Sequence, residues 1–300
     1  MNKILNFGSL NLDFVYKVDH FVKAGETLSA TDVTVNCGGK GLNQSIAAAR
    51  AGAEVYHAGK IGHDGETLRE MLRQSGVDTS YVSVSDGQSG NAVIQVDKDG
   101  QNCILIFAGN NRNITEAEID ACLGHFGEGD YLILQNEINN IPYLMKAAFG
   151  RGMKIVFNPS PATEELKNYP LDTVSLLVLN EIEGEMLTGE RCPDNILSSL
   201  RKMYPSTDVL LTLGSDGSVY SDGKQTVRHG IYKVTPVDTT GAGDTMLGYF
   251  TAGLAAGMPA EKVIDTAAKA AAIAVTRAGA AVSVPTAKEV EDAELVYMAQ

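Results

Sequence analysis

The sequence predicts an α/β fold in which a mostly parallel central sheet is flanked by helices on both faces, giving three layers. From about residue 45 onward, short apolar segments typical of strands alternate with segments of helical periodicity, which is the pattern of successive β-α-β units. The chain has 300 residues, of which 44% are apolar and 20% charged, as in ordinary globular proteins. One large core fits this length, so we expect residues 1–300 to form a single domain.

The predicted strands are short apolar runs, as expected for strands that are buried on both faces. They are Lys3–Phe7, Val55–Ile61, Tyr131–Gln135, Lys154–Asn158, Leu176–Asn180 and Val209–Leu213. The predicted helices are Leu42–Ala51, Glu66–Ser75, Thr115–Leu123, Ile141–Gly150, Glu181–Thr188, Asn195–Tyr204, Ala242–Gly257 and Ala260–Thr276. Thr115 with Glu118 three residues later is the pattern of a capping box, and Gly76 and Gly257 lie where helix ends favour positive φ.

Two strand-like segments, at about residues 13–35 and 91–107, interrupt this alternation. In the second, Val93, Gln95 and Asp97 alternate in polarity ahead of Lys98-Asp99-Gly100, which is a hairpin signal. Neither segment has a neighbouring helix that would cover it. We therefore expect a small sheet inserted into the domain, serving as a lid or as a subunit contact.

Charge and cysteine usage exclude several classes of protein. The net charge of −13, with no cluster of Lys or Arg, argues against a nucleic-acid partner, because such binding depends on neutralising phosphates with cations. The four cysteines lie far apart without zinc-ligand or disulfide spacing, so we expect reduced thiols in a cytoplasmic protein. The N-terminal sequence does not resemble a signal peptide, and no stretch suits a membrane span.

The most informative segment is Val237-Asp238-Thr239-Thr240-Gly241-Ala242-Gly243-Asp244-Thr245, which leads from an extended stretch into a long helix. Its glycines let a ligand approach the backbone, and the free N–H groups of a helix start bind anions such as phosphate. Asp244 lies among these donors. It either complements the helix dipole or serves as a general base beside a transferring phosphate.

Two common nucleotide-binding fingerprints are absent. The chain contains no GxxxxGK[ST], and Met246 stands where a dinucleotide fingerprint requires glycine. The sequence therefore predicts neither a P-loop nucleotidase nor a Rossmann dehydrogenase.

A second glycine cluster, Asn36-Cys37-Gly38-Gly39-Lys40-Gly41-Leu42-Asn43-Gln44, opens another predicted helix. By itself a pair of glycines indicates only a turn. Lys40 and Asn43 add an ammonium and an amide to the backbone donors, which makes a socket suited to hydroxyl groups. Asn11 and Asp13 follow the first strand, at the end where open α/β sheets bind ligands.

These segments together resemble the ribokinase family of carbohydrate kinases (PfkB type), over essentially the whole chain. The resemblance rests on Asn11 and Asp13, GGKGLNQ at 38–44, NEIE at 180–183, TLGSDG at 212–217 and DTTGAGD at 238–244. It implies a ribokinase-like three-layer fold with a small β-sheet lid, and a kinase that uses ATP.

The resemblance also assigns roles on the sugar side. Asp244 matches the family's catalytic base, and Gly241, Ala242 and Gly243 match the anion hole that stabilises the transferring phosphate. The matching sugar-binding positions are Asn11, Asp13, Gly38, Gly39, Lys40, Asn43, Glu137 and Asp244.

On the nucleotide side, the resemblance implies ATP, Mg²⁺ and a monovalent cation, K⁺. The ATP positions are Asn180, Thr212, Gly214, Ser215, Gly217, Gly243 and Asp244, and Ala268 with Lys269 lies near the expected adenine position. Asn180 and Glu183, three residues apart on one helical face, match an Mg²⁺ motif that acts through water. The matching K⁺ loop consists of Asp238, Thr240, Ala274, Arg277, Gly279 and Ser283, although an ordinary buried turn would show the same sequence pattern.

The expected reaction is phosphorylation of a primary hydroxyl of a small free sugar, with ribose and its O5 favoured. Deoxyribose, fructose or another ketose, and a nucleoside remain open alternatives; lid aromatics able to stack a base are Phe14, Tyr16, Phe21 and Phe107. A catalytically silent sugar or nucleotide sensor on the same fold is a further alternative, against which Asp244 and the glycines argue. Because bare strand edges invite pairing, we expect a homodimer through the lid sheets.

Overall fold

The computed structural model describes residues 2–299, and a nine-stranded sheet forms its centre. In chain order the strands of the protein are β1 (Ile4–Phe7), β2 (Asn11–Lys17), β3 (Asp32–Gly38), β4 (Val55–Ile61), β5 (Asp78–Val84), β6 (Gly90–Val96), β7 (Asn102–Phe107), β8 (Tyr131–Gln135), β9 (Lys154–Asn158), β10 (Leu176–Asn180), β11 (Asp208–Thr212), β12 (Ser218–Ser221), β13 (Thr226–His229), β14 (Ile231–Tyr232) and β15 (Tyr297–Met298). The central sheet has the order β13-β12-β11-β10-β9-β8-β1-β4-β5, parallel throughout except for the antiparallel pairs that β12 and β13 form at one edge. The predicted fold class is confirmed.

Helices cover both faces of this sheet. They are α1 (Lys40–Arg50), α2 (Glu66–Gln74), α3 (Glu116–Leu123), α4 (Ile141–Phe149), α5 (Glu181–Thr188), α6 (Pro193–Met203), α7 (Ala242–Ala255), α8 (Ala260–Ala274) and α9 (Ala287–Asp292). Successive residues of a strand face opposite layers: Ile4 joins the core beneath α1, α7 and α8, whereas Leu5 and Phe7 join the core beneath α3 and α4. Parallel strands buried on both faces are continuous apolar runs, which is why the sequence reveals them.

Helix ends follow the chemistry of their caps. Thr115 and Glu118 form the predicted capping box, and Gly76 and Gly257 have φ of 84° and 71°. Helix α1 begins at Lys40, two positions before the predicted start, because Gly39 with φ of 96° serves as its N-cap. The glycine cluster therefore leads directly into the helix.

The predicted small sheet has the order β3-β2-β6-β7. Its central strands β2 and β6 run parallel, and each outer strand pairs antiparallel with its neighbour. Residues 18–31, within the first predicted segment, lie outside the strands. Strand β2 starts shortly after β1 ends, so the small sheet extends from the C-terminal edge of the central sheet.

The outer strands of the small sheet are largely uncovered. Ile104, Leu105, Ile106 and Phe107 are all more than half exposed, as are Val33 and Val35 on β3. Both faces of β7 are thus open to solvent within the single chain. Separately, no helix within residues 2–299 has the length and apolar character that crossing a bilayer requires.

Candidate active site

Polar side chains end several neighbouring strands of the central sheet, all on the layer that holds α1 and α7. Asn6 on β1, Gln135 on β8, Asn158 on β9, Asn180 on β10 and Thr212 on β11 each lie two residues after a strand residue that packs into that core. Because a strand alternates its faces, the five residues belong to the same side of the sheet. An open parallel sheet binds ligands at this carboxyl edge, and the polar row marks the place.

The start of α7 presents backbone N–H groups at this edge. Its N-cap is Gly241, with φ of 75°, and no side chain accepts from the first turn. The N–H groups of Gly243 and Asp244 have no acceptor within the helix, because the first turn of a helix leaves its donors free. An added Cβ on Gly243 would meet nothing within 4 Å, so the first turn borders open space. This geometry suits an anion.

Close packing of two helices brings Asp244 to the second glycine cluster. A Cβ on Gly248 of α7 would lie 2.4 Å from the Cβ of Ala47 on α1, so glycine is needed where the helices touch. Asn43 donates its Nδ2 to Oδ2 of Asp244 at 3.0 Å, and Gln44 donates its Nε2 to Oδ1 at 2.8 Å. Asp244 is only 7% exposed. Its carboxylate is held at both oxygens between the two helix starts.

Asp13 and the glycine pair at 38–39 line the adjoining space under the small sheet. A Cβ on Gly38 would lie 2.0 Å from Oδ2 of Asp13, so only glycine leaves room for the carboxylate. Gly39 has positive φ and lies against the backbone of Ser9 and Asn11. Burial, together with the charge of Glu137, raises the pKa of Asp13 from 3.8 to about 7.

Lys40 and Glu137 form the charged centre of the same space. Oε2 of Glu137 accepts hydrogen bonds from the hydroxyl of Ser9 and from the backbone N–H of Lys40, the latter at 3.2 Å. Burial raises the pKa of Glu137, although Lys40 and Ser9 oppose the shift. Burial lowers the pKa of Lys40, but the carboxylates of Asp244 and Glu137 outweigh it and hold that pKa above its usual value. Lys40 therefore stays charged.

Asn11 faces this space from the first residue of β2. Its Oδ1 accepts from Nδ2 of Asn111 at 2.8 Å, and Asn111 is fixed in turn by the backbone N–H of Leu10 at 3.0 Å. A Cβ on Gly90 would collide with both amides, at 2.1 and 2.2 Å. Asn11 is thus held rigidly, with its Nδ2 left to donate.

A cavity of about 480 Å³ lies on the other side of the α7 start. Of the predicted ATP positions it is lined by Thr212, Gly214, Ser215, Gly217 and Gly243, and further lining comes from Tyr232, Met246 and Met298. Asn180 and Asp244 do not line it. Ala268 does, whereas Lys269 faces a different hollow on the opposite side of α8.

Asn180 and Glu183 form a capping box at the start of α5. Oδ1 of Asn180 accepts from the N–H of Glu183 at 2.9 Å, and Oε2 of Glu183 accepts from the N–H of Asn180 at 3.0 Å. The sequence reasoning took the pair only as a metal motif, and the structure uses it first as a cap. One oxygen of the buried Glu183 is committed, and the cap does not use the other.

Two loops predicted to hold a monovalent cation lie side by side. Oδ1 and Oδ2 of Asp238 accept from the N–H groups of Thr240 and Gly279, at 2.9 and 2.8 Å. Arg277 ties the second loop together, since its backbone N–H donates to Ala274 O and its Nη1 to Ser283 O, at 3.0 and 3.4 Å. Hydrogen bonding to Thr240 and Gly279 outweighs burial and lowers the pKa of Asp238. The structure brings five of the six predicted positions into one loop pair, and the sixth, Ala274, ends helix α8 beside it.

Sequence reasoning missed the polar residues beneath the site: Ser9, Gln44, Asn111, Gln135 and Asn6. Gln44 had a usable signal, because it directly follows Asn43 at a helix start. Gln135 ends an apolar run and Asn6 interrupts one, and their role depends on which strands become neighbours. No local pattern reveals that.

Comparison with known proteins places the chain in one family of enzymes. A family model described as pfkB family carbohydrate kinase matches residues 1–287. Ribokinase of Haemophilus influenzae is 36% identical over 96% of this chain and 97% of its own, and ribokinase of Bacillus subtilis is 36% identical over 97% and 99%. Deoxyribokinase of Salmonella typhi is 31% identical over 94% and 95%.

Solved structures agree with the sequence relatives. Ribokinase from Thermotoga maritima superimposes with a TM-score of 0.87 at 33% identity, covering 97% of this chain and 98% of that one. Ribokinase of Arabidopsis thaliana, solved with ribose and ATP, gives 0.86 at 30% identity with the same coverage. The fold is therefore shared with these proteins over 97% of this chain.

Proposed function

The chain belongs to the pfkB family of carbohydrate kinases, and we propose that it transfers the γ-phosphate of ATP to the O5 hydroxyl of ribose. The observation that carries this proposal is the buried Asp244 carboxylate, held by Asn43 and Gln44 beside the free N–H groups of the α7 start. Full-length ribokinase relatives support ribose as the sugar. We also propose the cytoplasm, which supplies ATP, as its compartment.

In the proposed reaction, Asp244 accepts the proton of the sugar hydroxyl as that oxygen attacks the γ-phosphorus. The new O–P bond forms while the bond from the γ-phosphorus to the bridging oxygen breaks, and ADP leaves. The N–H groups of Gly241, Ala242 and Gly243 would stabilise the negative charge on the transferring group; that of Gly243 has no acceptor within the helix, whereas that of Ala242 donates to Thr239 O at 3.3 Å and must turn from it. Asp244 is the third residue of α7, so it belongs to the same first turn whose N–H groups face the phosphate in this proposal. Its carboxylate can therefore lie between the phosphate and the sugar.

In this proposal, the polar groups under the small sheet bind ribose. The carboxylates of Asp13 and Glu137 accept hydrogen bonds from hydroxyls, whereas Lys40, Asn11 and Asn43 donate to them. Backbone groups of Gly38 and Gly39 complete the socket. Buried groups built to pair with a hydroxyl disfavour a sugar that lacks it, which favours ribose over deoxyribose.

ATP occupies the cavity beyond the α7 start, with its triphosphate toward Gly243 and its base among the apolar residues near Ala268 and Met298. Mg²⁺ would be held through water by Glu183 and Asn180 and would neutralise phosphate charge. The donor set fits, since Mg²⁺ commonly takes one carboxylate, waters and phosphate oxygens, and Glu183 keeps one oxygen outside its cap.

A K⁺ ion would lie between the two loops tied by Asp238, held by Thr240, Ala274, Arg277, Gly279 and Ser283 mostly through carbonyl oxygens. The fit rests on the adjacency of the loops and on a neighbouring carboxylate of lowered pKa. Arg277 already donates to Ala274 O and Ser283 O, and each carbonyl has a second lone pair for a cation. The ion would stiffen the loop beside Gly241.

The small sheet acts in this proposal as a lid and as a dimer contact. Closure over the sugar excludes water, which would otherwise accept the phosphate. Because adjacent residues of a strand face opposite sides, Leu105 and Ile106 expose apolar surface on both faces of β7. One face suits the substrate side and the other a second copy of the chain, in an interface between the two lids.

The decisive experiment compares the protein with its Asp244→Asn variant in a coupled ADP-release assay over ribose, deoxyribose, fructose and a nucleoside. We expect ribose to give the highest kcat/KM, and Asp244→Asn to lower kcat by about 10²- to 10⁴-fold with ribose affinity nearly kept. Asp86→Asn, on an exposed loop, is the matched control and should change nothing. Full activity of Asp244→Asn would refute the base assignment, and ATP and sugar binding without turnover in the parent protein would favour the sensor alternative.

A further inference from the structure

Three buried amide side chains form a continuous path from the backbone of α1 to the carboxylate of Asp244. Asn6 donates its Nδ2 to Gly41 O at 2.9 Å. Gln135 donates its Nε2 both to Oδ1 of Asn6 at 3.0 Å and to Oε1 of Gln44 at 2.7 Å. Gln44 then donates to Asp244 at 2.8 Å. All three amides are 0% exposed, so these partners are not replaced by solvent.

The path fixes which end of each amide faces its neighbour. A backbone carbonyl such as Gly41 O can only accept, so Asn6 must turn its Nδ2 toward it and its Oδ1 toward Gln135. Gln135 consequently supplies N–H groups to both neighbours, and Gln44 must present its oxygen to Gln135. A flipped Gln44 would set donor against donor at Gln135 and acceptor against acceptor at Asp244. Gln44 is therefore locked with an N–H toward Asp244.

We propose that Gln44 is a positioning residue that holds the Asp244 carboxylate in one orientation, through a donor whose direction Gln135 and Asn6 enforce. This rests on the proposed role of Asp244 as base. A donor locked toward one carboxylate oxygen fixes the rotation of the carboxylate, and a neutral amide supplies that donor at every working pH. Asn43 holds the other oxygen, but it borders the sugar side, whereas Gln44 lies wholly beneath it.

The position of Gln44 on α1 gives the path its rigidity. The carbonyl that anchors it belongs to Gly41, one turn earlier on the same helix, and the path returns to α1 through β1 and β8 of the central sheet. Gly8 leaves room for these amides, since a Cβ there would lie 2.5 Å from Oε1 of Gln135 and 2.7 Å from Oδ1 of Asn6. The orientation of the base is thus tied to the sheet itself.

The test replaces Gln44 with Met, which has similar length and no donor, and measures the steady-state kinetics of ribose phosphorylation. We expect kcat to fall about 10- to 100-fold, because a hydrogen bond to a charged group is lost. KM values for ribose and ATP should change by less than about threefold, because Gln44 contacts neither proposed ligand. Gln74→Met, the same change on the exposed end of α2, is the control.

A second variant and a direct readout keep the test decisive. Gln135→Met removes the enforcing amide while Gln44 stays, and should lower kcat by a smaller factor, again with both KM values nearly unchanged. The carbon NMR signal of the Asp244 carboxyl, compared between the parent protein and each variant, reports a change in its surroundings without turnover, so it answers even if ribose is not the substrate. An unmoved carboxyl signal in both variants would overturn the proposal, whatever happens to kcat. Failure of the parent protein to phosphorylate any sugar would count against the proposed function instead.

Discussion

The carboxylate of Asp13, which we propose to bind the sugar, should weaken the folded protein at neutral pH. It is half-buried beneath the small sheet, close to Glu137, and its pKa is raised from 3.8 to about 7. Between these two values the folded protein binds a proton that the unfolded chain has released. The free energy of unfolding contributed by this group therefore falls as the pH rises from about 4 to about 7, and the loss is complete above pH 7.

The size of the effect follows from the shift. About three pKa units correspond to an upper limit of about 4 kcal/mol, at 1.36 kcal/mol for each unit. Solvent reaching a half-buried group reduces this, so we expect about 1–2 kcal/mol. Asp13→Asn keeps the shape of the side chain and removes the charge. It should raise the free energy of unfolding by that amount at pH 8 and change it little at pH 4.

Urea denaturation of the ligand-free protein at the two pH values measures the difference directly. Asp86→Asn, at a fully exposed position, should change the free energy of unfolding equally at both pH values and by less than about 0.5 kcal/mol. Ribose affinity of Asp13→Asn, measured by calorimetry, should fall about 10- to 100-fold because a charged acceptor is lost. An equal stability change at pH 4 and pH 8, or a variant destabilised at pH 8, would refute the reasoning.

Two further variants test the sugar socket and the lid. Gly38→Ala would place a Cβ 2.0 Å from Oδ2 of Asp13, so the carboxylate must move. In steady-state kinetics we expect KM for ribose to rise by at least about tenfold, with KM for ATP unchanged. An unaltered KM for ribose would contradict the assigned socket. Leu105→Glu puts a charge at a position whose side chain is 71% exposed. Light scattering should show a dimer in the parent protein and a monomer in the variant, because a desolvated charge opposes association. A parent protein that is already a monomer would remove the dimer proposal.

The central strands could be predicted because burial on both faces leaves a continuous apolar run. Tyr131–Gln135 and Lys154–Asn158 have the predicted bounds, and so does Val55–Ile61, although His57 and Lys60 interrupt its apolar run. The edge strands escaped prediction for the opposite reason. Strand β13, Thr226–His229, is short, polar and partly exposed, and only its pairing with β12 makes it a strand.

The candidate site shows the same division between local and long-range information. Gly38, Gly39 and Gly241 were recognisable because backbone that approaches a ligand or takes positive φ requires glycine in a local motif. Asn111 was not recognisable, because it meets Asn11 only after segments 100 residues apart have come together. The NEIE motif was recognised with one of two roles, since the same i, i+3 spacing serves a helix cap and a metal.

The chain binds its two proposed substrates by different physical means, and its negative charge explains why. In the proposed complex, sugar hydroxyls pair with charged side chains such as Asp13, Glu137 and Lys40. Lys40 and Glu137 compensate each other, and the raised pKa of Asp13, about 7, limits its ionisation. A triphosphate brought beside Asp13, Glu137 and Asp244 meets like charge, and a single Lys40 cannot offset them. Backbone dipoles at the α7 start bind an anion without adding a titratable group that would pair with Asp244 and compete for its proton. A base that must stay unpaired with a cation next to phosphate is therefore best placed on a glycine-lined helix start, with neutral amides such as Gln44 behind it.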